Sequence, residues 1–70
     1  MSAHQAHAYI ELEIARISKS QTPAPDRTYI EGMIEMAAFL GYLPRQDADC
    51  YREALAIKTG NRVVQLRRVA

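Results

Sequence analysis

The sequence predicts an all-α domain: an N-terminal helix, a proline-rich connector, an antiparallel helical hairpin and a short basic tail. Apolar residues recur at three- and four-residue steps in both halves of the chain, which is the spacing of one helical face. Proline and glycine divide the chain at the points where helices usually begin and end. A chain of 70 residues holds a single domain, so we expect residues 1–70 to fold as one unit.

The first helix is predicted over about residues 2–20. A strand competes with it, because residues 10–14 alternate between apolar and acidic side chains. Arg16 and the alanines break that alternation and favour the helix. The predicted buried face consists of apolar residues at helical steps: Ala3, Ala6, Ile10, Ile14 and Ile17.

Residues 21–27 contain Pro23 and Pro25 and predict a stiff connector, because proline cannot continue a helix and biases its predecessor to extended geometry. The next helix is predicted over residues 28–40. Thr28 and Glu31 have the spacing of a capping box, in which each side chain bonds a free backbone N–H. Gly41 supplies a left-handed stop.

This central helix is apolar over most of its circumference, since Glu31 and Glu35 are its only charged residues after the cap. Such a helix needs cover on more than one side, which one neighbouring helix cannot give. Gly32 costs about 1 kcal/mol relative to alanine, and either a close helix approach explains it or it is simply tolerated. Periodicity cannot separate core from interface, but we predict a protein interface at Tyr29, Gly32, Met33, Met36, Phe39 and Leu40.

The last helix is predicted over residues 44–59, with Pro44 in its first turn and Gly60 as its stop. The short link at Tyr42 and Leu43 folds this helix back on the previous one as an antiparallel hairpin. The tail, residues 61–70, is ambiguous, because its apolar residues fit a short strand and a last helical turn equally poorly.

Composition and charge limit the classes of partner and the cellular location that we expect. A net charge of +1 implies neither a strongly basic nor a strongly acidic partner. No apolar run approaches the roughly 20 residues of a membrane span, and the N-terminus does not have a secretory pattern, so we expect a cytoplasmic protein. A single cysteine, Cys50, forbids an internal disulfide. Because so short a domain needs additional stabilisation, we expect a homodimer.

Three candidate reactive groups have simpler interpretations. His4, His7 and Glu11 share a helical face, but spacing alone does not make a metal site. Glu31 and Glu35 are interpreted as the solvated side of their helix, and Cys50 as a small apolar residue of the hairpin. We therefore expect no enzyme activity, no metal and no cofactor.

The run Tyr29–Leu43, followed by Tyr51-Arg52-Glu53-Ala54-Leu55, resembles small helical-hairpin proteins of bacteriophages and prophages. Those proteins pair a Tyr-x-x-Gly helix ending in Leu-Gly with a short second helix. The resemblance covers less than half of the chain and carries over no functional residue. It implies a bacterial cytosolic setting and a protein that binds and inhibits or redirects a host protein.

The predicted function is accordingly a non-enzymatic protein that binds and regulates or inhibits another protein. The alternative is a small DNA-binding transcriptional regulator that uses the hairpin and the basic tail. Asp47 and Asp49 count against it, because they lie where a recognition helix would approach phosphates. The possible nucleic-acid contacts are Arg45, Arg52, Arg62, Arg67 and Arg68.

Overall fold

A computed structural model describes residues 2–69 of the chain, and side chains for residues 2–68. Helix α1 spans Ala3–Arg16 and is continued by a 3-10 turn at Ile17–Lys19; α2 spans Pro23–Phe39 and α3 spans Arg45–Val69. Residues 2–69 contain no strand, so the all-α prediction is confirmed. Residues 1 and 70 of the predicted domain lie outside the described residues.

The three helices lie side by side in an elongated bundle of 41 × 19 × 15 Å. His7 of α1 bonds Tyr51 near the start of α3, and Ser20 beyond α1 bonds Arg62 near the end of α3, so these two helices run in the same direction. The link at residues 40–44 reverses the chain between α2 and α3. The order of directions is therefore up, down, up.

The core is a cluster of isoleucines and leucines where the three helices meet. Ile17, Ile30, Ile34 and Leu55 are its largest fully buried side chains. Fully burying such a side chain contributes roughly 1.5–3 kcal/mol. The predicted inner face of α1 is largely correct: Ala6, Ile10, Ile14 and Ile17 are buried, whereas Ala3 is exposed.

Helix α1 begins with a capping box at Ser2 and Gln5. The Ser2 Oγ accepts a hydrogen bond from the Gln5 backbone N–H at 3.1 Å, and the Gln5 Oε1 accepts one from the Ser2 N–H at 2.9 Å. Two backbone donors that α1 itself cannot satisfy are bonded in this way.

The predicted connector at residues 21–27 is wrong from Pro23 onward, because α2 already begins there. The first N–H groups of a helix have no intrahelical acceptor, so Pro23 and Pro25 cost no hydrogen bond in the first turn. Asp26 also lies in this turn, where its carboxylate accepts hydrogen bonds from the Ser20 and Thr22 hydroxyls. Negative charge is favourable at a helix N-terminus.

The predicted capping box at Thr28 and Glu31 is also wrong, since both residues lie inside α2. The Thr28 hydroxyl donates to the Ala24 carbonyl oxygen at 3.3 Å, one turn back. The Glu31 carboxylate accepts a hydrogen bond from Arg27 Nε at 2.6 Å. Both side chains therefore bond within the helix rather than cap it.

The C-terminal end of α2 is the one predicted from the sequence, with a glycine stop at Gly41. Gly41 has a φ of 85°, the left-handed conformation expected of a glycine stop. The Gly41 N–H donates to the Ala38 carbonyl and the Tyr42 N–H to the Ala37 carbonyl, at 3.1 and 2.9 Å. This pair of bonds is a Schellman motif, and it satisfies two carbonyls that the helix would leave free.

The predicted stop at Gly60 is wrong, and so is the break between the last helix and the tail. Helix α3 has 25 residues and passes through Gly60 to Val69. Arg62 Nε donates to the Ser20 carbonyl oxygen at 2.7 Å, which ties the extension to the end of α1. Although α3 is long, no described helix is both long and apolar enough to cross a membrane.

Alanine substitutions at two glycines test these assignments. A Cβ on Gly60 would meet nothing within 4 Å, so Gly60→Ala should raise the free energy of unfolding by about 0.5–1 kcal/mol. Gly41→Ala forces an L-residue into left-handed geometry and should lower it by roughly 1–2 kcal/mol. Urea denaturation measures both. A destabilising Gly60→Ala would show that the helix stops there after all.

Candidate functional site

Helices α1 and α2 leave an apolar groove between them, with a volume of about 570 Å³. We call it the α1–α2 groove. None of its lining residues carries a formal charge. They are Ala6, Tyr9 and Ile10 of α1, Thr28, Tyr29, Gly32, Met33, Met36, Ala37 and Leu40 of α2, and Tyr42 of the link.

The orientation of α2 explains this groove. Ile30 and Ile34 are buried in the core, and successive helical residues are turned by about 100°. Met36 and Leu40 consequently point away from the core, although they are as apolar as the residues inside it. The sequence supplies α2 with more apolar surface than α1 and α3 cover.

Large apolar side chains are exposed along this side of α2. Phe39 is 85% exposed, Tyr29 60%, Leu40 58% and Met36 57%. Five of the six predicted interface residues line the groove, and Phe39 lies beside it. Met33 packs partly against the core. That these residues form an interface stays a prediction, but within the single chain they form one continuous surface.

Gly32 has no close helix neighbour within the chain. A Cβ built on Gly32 would meet nothing within 4 Å, so packing inside the bundle does not require glycine at this position. The residue instead leaves a gap in the α2 side of the groove. A close approach at Gly32 would have to come from outside the chain.

The α1 side of the groove was not among the predicted interface residues. Tyr9 is 45% exposed and lies opposite Tyr29. The neighbouring Tyr29 hydroxyl, together with the charge of Glu13, raises the pKa of Tyr9. The spacing of Ala6, Tyr9 and Ile10 fits one helical face and is the signal that could have revealed this wall.

A polar cluster joins the first half of α1 to the start of α3. The Tyr51 hydroxyl donates to Glu11 Oε1 at 2.8 Å and lies 2.8 Å from His7 Nδ1. Because the phenol has one proton, Nδ1 must be the donor in the second bond. His7 Nε2 lies 3.7 Å from Asp47 Oδ2. We call these four residues the α1–α3 clamp.

His7 and Glu11, two of the three residues considered as metal ligands, both form hydrogen bonds with Tyr51. Over the described part of the chain, no group of three or more His, Cys, Asp or Glu side chains is placed to hold a metal ion. Cys50 lies on α3, the second helix of the hairpin, and its side chain is exposed.

The predicted nucleic-acid contacts do not form one patch. Arg45 and Arg67 are 22 positions apart on α3, or about 33 Å along its axis. Arg52 pairs with Asp49 at 3.0 Å, and Arg62 bonds the Ser20 carbonyl. Arg68 lies beside Arg67 at the far end. Nucleic-acid contact stays a prediction, and two of its five arginines already bond within the chain.

No protein-family model, curated protein or solved structure matches this chain. The groove and the clamp are therefore interpreted from their own chemistry.

Tyr51 makes the clamp sensitive to high pH. Burial, followed by the hydrogen bond and charge of Glu11 and by the charge of Asp47, raises the pKa of Tyr51 from 10.0 to about 12. The folded chain therefore keeps this proton where the unfolded chain loses it. The stabilisation is complete below about pH 10 and is lost as the pH rises towards 12.

We expect the free energy of unfolding to fall more between about pH 10 and about pH 12 in the wild type than in Tyr51→Phe. At neutral pH the substitution should itself cost about 1–2 kcal/mol, because two hydrogen bonds are lost. Urea denaturation at each pH measures both effects. Equal losses in the two proteins would contradict the assignment of the raised pKa to Tyr51.

Proposed function

We propose that this chain is a non-enzymatic binding protein, and that its α1–α2 groove takes an amphipathic helix of another protein, which it regulates or inhibits. The observation that carries the proposal is an uncharged groove flanked by exposed Tyr, Met, Phe and Leu side chains. Contiguous exposed apolar surface of this kind typically marks an interaction site.

The groove has the chemistry of helix recognition. An amphipathic helix places its apolar face in a hydrophobic groove. It is recognised through its own apolar side chains, which recur three and four positions apart and enter the groove. Met33 and Met36 are flexible enough to fit different surfaces. Tyr9 and Tyr29 lie at the rim of the groove. The ring of a tyrosine there can contact an apolar partner, while its hydroxyl stays in water and can form hydrogen bonds.

The biological setting we propose is the cytoplasm of a bacterial cell, with the protein acting as a phage-encoded inhibitor of a host system. The resemblance of residues 29–43 to phage and prophage helical hairpins supports this setting. A small inhibitor of this type needs only one binding surface, and the α1–α2 groove is such a surface.

Two substitutions at equally exposed positions test the groove. Met36 and Ile57 are each 57% exposed, but only Met36 lines the groove. Affinity capture from a bacterial lysate, read by mass spectrometry, should recover a protein with the wild type and Ile57→Glu. Met36→Glu should lose it by at least about tenfold, because a buried unpaired charge opposes binding.

The captured protein is then purified and titrated against all three chains, so that direct binding is measured. Nuclease treatment of the lysate should leave the capture unchanged, whereas a nucleic-acid-binding protein would lose its partners. Equal capture by Met36→Glu and the wild type would contradict the proposal.

A further inference from the structure

We infer that a second copy of this chain covers the exposed face of α2, in a two-fold symmetric dimer with the two α2 helices antiparallel. This inference rests on the proposed function, because it uses the same surface. A target helix would have to displace the second copy, so self-association sets how much of the groove is free.

The exposed area is the first argument. With about 200 Å² for a large side chain, the exposed fractions of Tyr29, Met36, Phe39 and Leu40 correspond to roughly 500 Å² per subunit. Two copies would therefore bury about 1,000 Å² before Tyr9 and Met33 are included. That total lies at the lower limit for a specific interface and corresponds to a weak, reversible dimer.

The solvent-accessible surface of the whole chain is larger than that expected of a monomer of its size. A folded monomer of 7.9 kDa is expected to expose about 4,400 Å². This chain exposes 4960 Å². The elongated shape of the bundle and the uncovered face of α2 both contribute to this excess.

The shape of α2 is self-complementary. Phe39 projects beside the groove, while Gly32 leaves a gap about two turns earlier on the same side of the helix. A two-fold axis near Met36 places Phe39 of each copy over Gly32 of the other. A projecting ring and an open gap then meet twice, as an isologous interface requires.

Charge bears on this arrangement near the axis, where a two-fold contact brings residues close to their own copies. The groove lining is uncharged, and the net charge of each chain is only +1. Glu31 is paired with Arg27. Glu35, exposed next to Met36 on the flank of this face, is the acidic residue that the symmetry brings near its own copy.

Sedimentation equilibrium over a wide concentration range tests the dimer. We expect the wild type and Ile57→Glu to dimerise with similar dissociation constants. Met36→Glu should raise the dissociation constant by at least about tenfold, because it places two like charges together near the axis. Circular dichroism checks that each variant remains helical, so that lost association is not confused with unfolding.

Gly32→Ala and Gly60→Ala provide a second matched pair. Neither added Cβ meets anything within its own chain, so both variants should be more resistant to urea as monomers. Only Gly32→Ala should weaken the dimer, by about tenfold, because the methyl group fills the gap that receives Phe39. Equal dissociation constants for the two variants would overturn the proposed contact.

The outcomes separate this inference from the proposed function. A strictly monomeric wild type at high concentration overturns the dimer, while capture that depends on Met36 would still support the groove as a binding site. A dimer unaffected by Met36→Glu places self-association on another face and also overturns the inference.

Discussion

The burial of Ile30 and Ile34 at the meeting point of the three helices fixes how α2 is rotated. Helical geometry then determines where every other residue of α2 points. Since the apolar residues of α2 extend over most of its circumference, fixing one side in the core leaves Met36 and Phe39 facing outward. The exposed apolar face is thus a direct consequence of how the core is formed.

A chain of this size has little means to hide that face. Helix α1 covers one flank of α2 and α3 covers another, and each contributes to the same core cluster. A fourth helix would be needed to close the bundle around α2. A protein can meet this need by association, which also explains how 70 residues without a disulfide would gain stability.

Polar contacts hold α1 against α3 at both ends. The clamp at His7 and Tyr51 lies at one end of α1, and the hydrogen bond from Arg62 to the Ser20 carbonyl lies at the other. Each bond contributes roughly 1 kcal/mol, and together they hold α1 along α3 at two points. Helix α1 therefore packs against α3 by polar contacts as well as through the core, while Ala6, Tyr9 and Ile10 line the groove beside α2.

The sequence by itself determined the helical class, the buried face of α1, the glycine stop at Gly41 and the excess apolar surface of α2. These features depend on periodicity and on local backbone preference, which neighbouring residues decide. Ser2 and Gln5 also have the spacing of a capping box, but Thr28 and Glu31 share that spacing without capping a helix.

Only the tertiary structure decided where α2 begins, whether α3 stops at Gly60, and which residues form the α1 wall of the groove. Pro23 can end a connector or open a helix, and the choice depends on Ser20 and Thr22 bonding Asp26. The cost of Gly60 inside a helix is about 1 kcal/mol, which Leu55, packed in the core, and Arg62, bonded to Ser20, together offset. The contacts of Leu55 and Arg62 join residues far apart in the chain, so local preference cannot reveal them. The bonds from Ser20 and Thr22 to Asp26 span only six and four positions, but Pro23 by itself is compatible with both roles.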